Sequence, residues 1–264
     1  MNSYADIAKL FEEQTSDIDF FQNSEILSIK RNLSTIFASN TKQLIFMIGE
    51  PGVGKTAFLN NFDAIFEHRY HTIKFDMPFF EPVDFVTMLI KKADHTIEQY
   101  SLEELIKQLI GIYKDSNYII LIDEAQLLSK QMLEIIRILA DSKAFWFLLA
   151  MHKHESKGIL EEPQFASRPH KVLELGRLQK YEYRDFLHNE LMKIDRPYLA
   201  EHLSKKYLNY IYKITHGNFR DLKKLLFHLF TLMHYATEHN KQKYQRISKC
   251  LLLMAAIDGG LLDV

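Results

Sequence analysis

The sequence predicts an α/β fold: a three-layer core on a parallel five-stranded sheet, followed by an all-helical region. Three observations carry this. The stretch Gly49-Glu50-Pro51-Gly52-Val53-Gly54-Lys55-Thr56 lies between an apolar run, Leu44 to Ile48, and a helical pattern that opens at Ala57. The aliphatic run Ile119-Ile120-Leu121-Ile122 ends in Asp123-Glu124, the pattern of a strand covered on both faces in a parallel sheet. After Gly176 the strand-like runs stop, and helical spacing continues to the end.

Each element follows from a local pattern. Residues 4–14 read as a short helix with Ile7, Leu10 and Phe11 on one face, and Asp19-Phe20-Phe21 as an aromatic turn. Ser24 to Phe37 reads as a helix with Ser24 as its N-cap. Asn40-Thr41-Lys42 breaks it before the first strand. The helix after the glycine-rich loop is expected to run to about Phe66. His71 to Phe75 predicts a second strand, and helices are expected over 83–93 and 101–114. The third strand leads into Asp123-Glu124. A helix over Lys130–Asp141 precedes a fourth strand, Ala144 to Met151, and Lys171 to Leu175 is the fifth. Helices over 180–193, 199–215, 218–238 and 241–257 complete the chain.

A chain of 264 residues, 47% hydrophobic and 25% charged, accommodates one domain of about 150 residues and a smaller one. The expected division is 1–175, a core with a helical lead-in, and 176–264, a helical domain. A single cysteine excludes an internal disulfide and fits a reducing compartment. Cys250 is expected as a small buried apolar residue. No apolar run reaches the ~20 residues of a membrane span, and Met1 to Asp19 has no signal-peptide core. The reading is a cytoplasmic protein. Net charge is −1 but uneven. Eleven Lys and Arg stand against three Asp and Glu between Arg196 and Lys249, whereas residues 1–170 hold 17 basic and 24 acidic residues. Such asymmetry fits either a solvated helical face or a nucleic-acid or acidic-partner surface.

The glycine-rich stretch has the form GxxxxGK[ST] in the strand-loop-helix context of a phosphate loop. Gly49, Gly52 and Gly54 permit conformations and close approaches that a Cβ would block. The N–H groups from Gly49, Glu50, Pro51, Gly52 and Val53 through Gly54, Lys55, Thr56 and Ala57, proline excepted, can converge on an anion at the following helix start. Lys55 would reach the β- and γ-phosphates of ATP, and the Thr56 hydroxyl would hold Mg²⁺. Asp123 and Glu124 fall where open α/β sheets bind ligands. Asp123 is suited to hold Mg²⁺, directly or through water, and Glu124 to activate the attacking water as general base. That pair argues against a small-molecule kinase, which must exclude water. His152 follows the fourth strand, where a polar residue could touch the γ-phosphate or the water; a surface-loop histidine is the competing reading. His152 and His154 lack further metal ligands at useful spacing.

GEPGVGKT, then IILIDEAQ, then an all-helical region resembles the AAA+ ATPases, and within them the ExeA-type (general secretion pathway A) branch and its TniB- and MuB-type transposition relatives. Phe20-Phe21 with Glu25, Asp123-Glu124-Ala125-Gln126, Leu133 to Arg137, and His216-Gly217-Asn218-Phe219-Arg220 carry the likeness, over roughly residues 19–258. It implies that residues 176–264 form a lid over ATP·Mg²⁺. It further implies that Arg220 contacts the γ-phosphate of its own subunit, that Arg168 is a finger completing a neighbour's site, and that His152 occupies the polar sensor position. The family usually has Gly-Gln where this chain has Met151-His152, and the Arg168 spacing is slightly short. The function expected is an ATP hydrolase that drives or times assembly of a secretion, pilus or DNA-uptake machine, possible as a homo-oligomer on ATP binding. The alternative is an ATP-switched DNA-binding helper of transposition or replication that uses residues 196–249.

Overall fold

The computed structural model describes residues 3–12, 21–39, 41–76, 81–97, 101–166 and 170–262. Phe20 and Arg168 lie outside the described residues. Two compact units emerge from the chain's contacts. One comprises Ile26–Pro51 and Lys55–Leu175; the other comprises Met1–Glu25, Gly52–Gly54 and Gly176–Val264.

The first unit is the α/β core. Its strands are β1 (Leu44–Gly49), β2 (His71–Phe75), β3 (Tyr118–Ile122), β4 (Trp146–His152) and β5 (His170–Glu174). They form one parallel sheet in the order β2-β3-β4-β1-β5. Every residue of β1, and β4 from Trp146 to Met151, is buried, which is why these segments read as unbroken apolar runs rather than alternating ones. The register sets Gly49 beside His152 and Ile122 beside Leu149. The carboxyl ends of β1, β3 and β4 therefore lie at one rim of the sheet. Phe46, Phe85, Leu109, Ile120, Ile136 and Phe147 are fully buried in this core, each contributing roughly 1.5–3 kcal/mol through burial.

Helices follow the expected spans in α2 (Ser24–Ala38), α5 (Pro82–Lys92), α6 (Leu102–Tyr113) and α7 (Lys130–Asp141). Two expectations fail here. Ser24 does not cap α2; it is the first helical residue, and its N–H and hydroxyl both donate to Glu182 Oε1, at 2.8 and 2.6 Å. The helix after the loop does not run unbroken to Phe66. It divides into α3 (Lys55–Asn60) and α4 (Phe62–Ile65) at Asn61, whose φ of −100° and ψ of 11° leave the helical region and whose Nδ2 shares the Ala57 carbonyl with its own N–H, at 2.9 and 3.1 Å. The pattern also left out α8 (Lys153–Leu160) and α9 (Pro163–Ala166).

The second unit is helical. Its helices are α1 (Tyr4–Lys9), α10 (Lys180–Met192), α11 (Pro197–Lys206), α12 (Leu208–Thr215), α13 (Phe219–Glu238) and α14 (Lys249–Asp258). Its core is built from Phe11, Phe186, Leu203, Ile211, Leu226, Phe230 and Leu252, and α1 packs on α13, with Phe11 stacked on Phe230 at 5.8 Å. The expected helix 199–215 breaks at Tyr207, whose buried hydroxyl donates to the Ile247 carbonyl at 2.8 Å. The expected helix 241–257 instead starts at Lys249, where the Ser248 side chain accepts from Leu251 N. Cys250 is exposed, not buried, because α14 turns Leu251, Leu252, Ala255 and Ala256 inward. Among the described residues no helix is long and apolar enough to cross a membrane.

Candidate active site

Gly49 ends β1 without a positive φ, and the two glycines that follow it differ. Gly52 and Gly54 take φ of +79° and +108°, values that an L side chain adopts only at a cost. A Cβ on Gly54 would meet nothing within 4 Å, so its glycine serves the backbone turn alone. Val53 is buried, and Lys55 opens α3. Lys55 is 5% exposed, and its ammonium donates to the carbonyls of Gly49 and Glu50 at 2.9 and 3.0 Å. The loop thus holds its cation inward on its own backbone. Thr56 is exposed at the second position of α3, and Ala57 follows it.

At the end of β3, Asp123 is 3% exposed. Its N–H donates to the Phe75 carbonyl at 3.1 Å, and its Oδ1 accepts from Glu124 N at 2.9 Å. Glu124 stands in the left-handed region at φ +49°. The strand stops here, and a single 3-10 turn, Ala125–Leu127, follows. Glu124 Oε2 accepts from Gln126 Nε2. His152 ends β4 and precedes α8. Its Nε2 lies 3.7 Å from Glu124 Oε2, and its Nδ1 3.8 Å from Glu155 Oε1. The His152 backbone N–H donates to Gln126 Oε1 at 3.3 Å. Asp123, Glu124, Gln126 and His152 therefore come together at the carboxyl rim of the sheet. A buried carboxylate beside a half-exposed one, with a loop lysine turned inward, is a donor set that suits a phosphate chain with a divalent cation. Gln126 is the last residue of Asp123-Glu124-Ala125-Gln126, and the contacts of its side chain have no signal in spacing.

In the helical unit, a turn fixes the start of α13. Tyr183 of α10 is fully buried; its hydroxyl meets Thr215 Oγ1 at 2.6 Å and accepts from Gly217 N at 3.0 Å. Burial pushes its phenol up to about 12. Gly217 has φ +81°, and a Cβ there would come within 2.7 Å of the Leu178 carbonyl. Leu178 N donates to Gly217 O at 2.8 Å, and Arg177 Nη1 to His216 O at 2.9 Å. The Asn218 side chain then caps α13 by accepting from Asp221 N. Arg220 is the second residue of that helix, and its N–H donates to Gly52 O at 3.0 Å within the same unit.

Residues 38–160 match the family model described as AAA domain. No curated protein matches the sequence closely enough to count as a relative. Among solved structures, the Aeropyrum pernix ORC2 protein in its ADPNP–ADP complexes is similar over 94% of this chain and 70% of its own, with TM-score 0.62 and 14% identity. Cdc6p from Pyrobaculum aerophilum matches over 88% and 66%, with TM-score 0.63 and 14% identity. The Aeropyrum pernix ORC1 protein in complex with DNA matches over 98% and 71%, with TM-score 0.56 and 14% identity. At this identity the likeness is one of fold.

Proposed function

We propose that this chain, a P-loop ATP hydrolase with an AAA domain over residues 38–160, uses ATP turnover to time the assembly of a partner complex on DNA. The hydrolytic part rests on the rim of the sheet. Lys55 would neutralise the β- and γ-phosphates, and the N–H groups of the Gly49–Thr56 loop would cradle them. Thr56 and Asp123 would hold Mg²⁺, which when bound draws charge from the phosphates. Glu124 would take a proton from the attacking water, and Arg220 would stabilise the γ-phosphate. Arg168 would complete a neighbour's site in an ATP-dependent homo-oligomer. Glu124→Gln is expected to keep ATP bound and lower turnover by about a hundredfold or more. Wild-type hydrolysis in that variant would sink the general-base role.

The observation that carries the DNA part is the excess of exposed basic side chains on the helical unit. Lys206, Lys213, Lys224, Lys241, Lys243, Arg246 and Lys249 are all exposed, as is Lys205, which pairs with Glu201 at 2.6 Å, and the span from Arg196 to Lys249 has only Glu201, Asp221 and Glu238 as acids. The similar ORC1 protein was captured with DNA, which supports the reading by analogy of fold. Binding should be weakly sequence-specific, with log K falling by about 0.9 per phosphate neutralised for each decade of salt. Fluorescence anisotropy with duplex and single-stranded DNA, with ATP, with ADP and without nucleotide, at 50 and 200 mM salt, tests it. Absence of binding at about 50 mM salt in every nucleotide state would eliminate DNA. It would leave the other expectation, an ExeA-like ATPase acting on the proteins of a secretion, pilus or DNA-uptake apparatus.

A further inference from the structure

Resting on the reading of Glu124 as general base, we propose that Gln126 is the positioning residue that aims the Glu124 carboxylate and ties it to the end of β4. Among the described residues, two side chains beside the Glu124 carboxylate could do this. His152 Nε2 stands 3.7 Å from Glu124 Oε2, beyond hydrogen-bond distance. The Gln126 amide is within it, donating Nε2–H to that same oxygen. The other end of the same amide accepts the His152 backbone N–H at 3.3 Å. A single side chain thus spans from the carboxylate to the backbone of the neighbouring strand.

The backbone explains why such a tether is needed. Glu124 adopts φ +49°, a conformation that a non-glycine residue takes only at a cost and that persists only where its surroundings hold it. Asp123 Oδ1 holds Glu124 N, and Leu127 N holds Glu124 O at 2.9 Å. These fix the main chain and leave the side-chain torsions free. The Gln126 amide restrains those, with the carboxylate 37% exposed and otherwise able to swing into water. Because its acceptor end rests on a backbone N–H and not on the imidazole, the restraint does not depend on which tautomer His152 adopts. A base displaced by about 1 Å loses on the order of a hundredfold in rate, so an amide that fixes its direction belongs to the chemistry while touching none of the reacting atoms.

The test is steady-state ATP hydrolysis with a parallel measurement of ATP affinity in the full chain. Gln126→Ala is expected to lower kcat about ten- to a hundredfold while KM and ATP affinity stay within about twofold. Gln126→Glu keeps the length and the acceptor for His152 N but loses the donor and sets a second carboxylate beside Glu124; its kcat should fall at least as far. In a Glu124→Gln background, Gln126→Ala should cost nothing more, because there is no base left to aim. This non-additivity separates positioning from general support of the fold. Should the alanine variant lower thermal stability, the isosteric glutamate variant decides. A kcat within twofold of wild type in both variants overturns the proposal. So does a loss that adds in full to that of Glu124→Gln, or a rise in KM with kcat kept. Failure of the general-base reading is distinct: Glu124→Gln itself would then hydrolyse ATP normally.

Discussion

Two lysines bracket β1, and both are almost wholly buried: Lys42 is 7% exposed and Lys55 is 5% exposed. Each ammonium rests on backbone carbonyls. The difference is where those carbonyls come from. Lys42, at the amino end of the sheet, donates to Lys114 O at 3.2 Å, to Ser116 O, and to Ala144 O at 2.9 Å. It thereby joins the end of α6 to the approaches of β3 and β4, and it lies 5.6 Å over the Trp146 ring. Burial pushes its ammonium below the usual lysine range, with Asp115 opposing. Lys55, at the carboxyl end, rests on Gly49 and Glu50 of its own loop. A lysine that bridges segments distant in sequence is a staple. One that meets carbonyls six and five residues back in its own loop would, on the proposed reading, turn to an arriving anion while the sheet stays intact. The same residue type, equally buried beside the same strand, bridges distant segments at one end and, on the proposed reading, would serve ATP at the other.

The largest expected effect tests the second half of that contrast. Lys55→Ala should lower ATP affinity by about a hundredfold or more, measured by calorimetric titration, with little change in the unfolding midpoint. A collapse of stability instead would make Lys55 a second staple. Next comes Lys42→Met, which leaves three carbonyls without their donor and should cost about 2–3 kcal/mol in denaturant unfolding, with ATP affinity retained. The smallest effect is alkaline. Tyr113, at the same amino end, donates to Leu89 O at 2.9 Å and packs on Tyr118 and Phe145; burial pushes its phenol up to about 12. The folded value is raised above the unfolded one near 10, so its contribution is complete below about pH 10 and lost as pH climbs through about 12. Tyr113→Phe should flatten that part of the alkaline unfolding profile, followed by circular dichroism alongside the tyrosinate absorbance.

The contrast was only half legible in the sequence. Lys55 announces itself through GxxxxGK[ST], a local pattern whose chemistry depends on adjacent residues. Lys42 lies in a short polar break before β1, and its partners are 72, 74 and 102 residues away; nothing in its neighbourhood points to burial. The same distinction runs through the fold. The strands β1, β3 and β4 declared themselves by unbroken apolar runs. The break at Tyr207 did not, because it depends on a hydrogen bond to Ile247. Ser24 has the composition of an N-cap, yet its hydroxyl is taken by Glu182, 158 residues on. The helix α8 escaped notice because its buried residue is Ser156, which leaves no apolar stripe to read. Asp123 and Glu124 were legible from their place at a strand end. The amide of Gln126 was not, since only the left-handed turn at Glu124 brings it back onto the carboxylate.

The chain's single cysteine, Cys250, stands exposed on α14, while the next two residues, Leu251 and Leu252, pack inward. A maleimide dye would therefore attach at one place, on a helix of the unit that also carries Arg220, without any prior removal of native thiols. The protein comes with its own reporter position: a fluorophore on that sulfur can follow the helical unit through a turnover cycle in otherwise unaltered sequence.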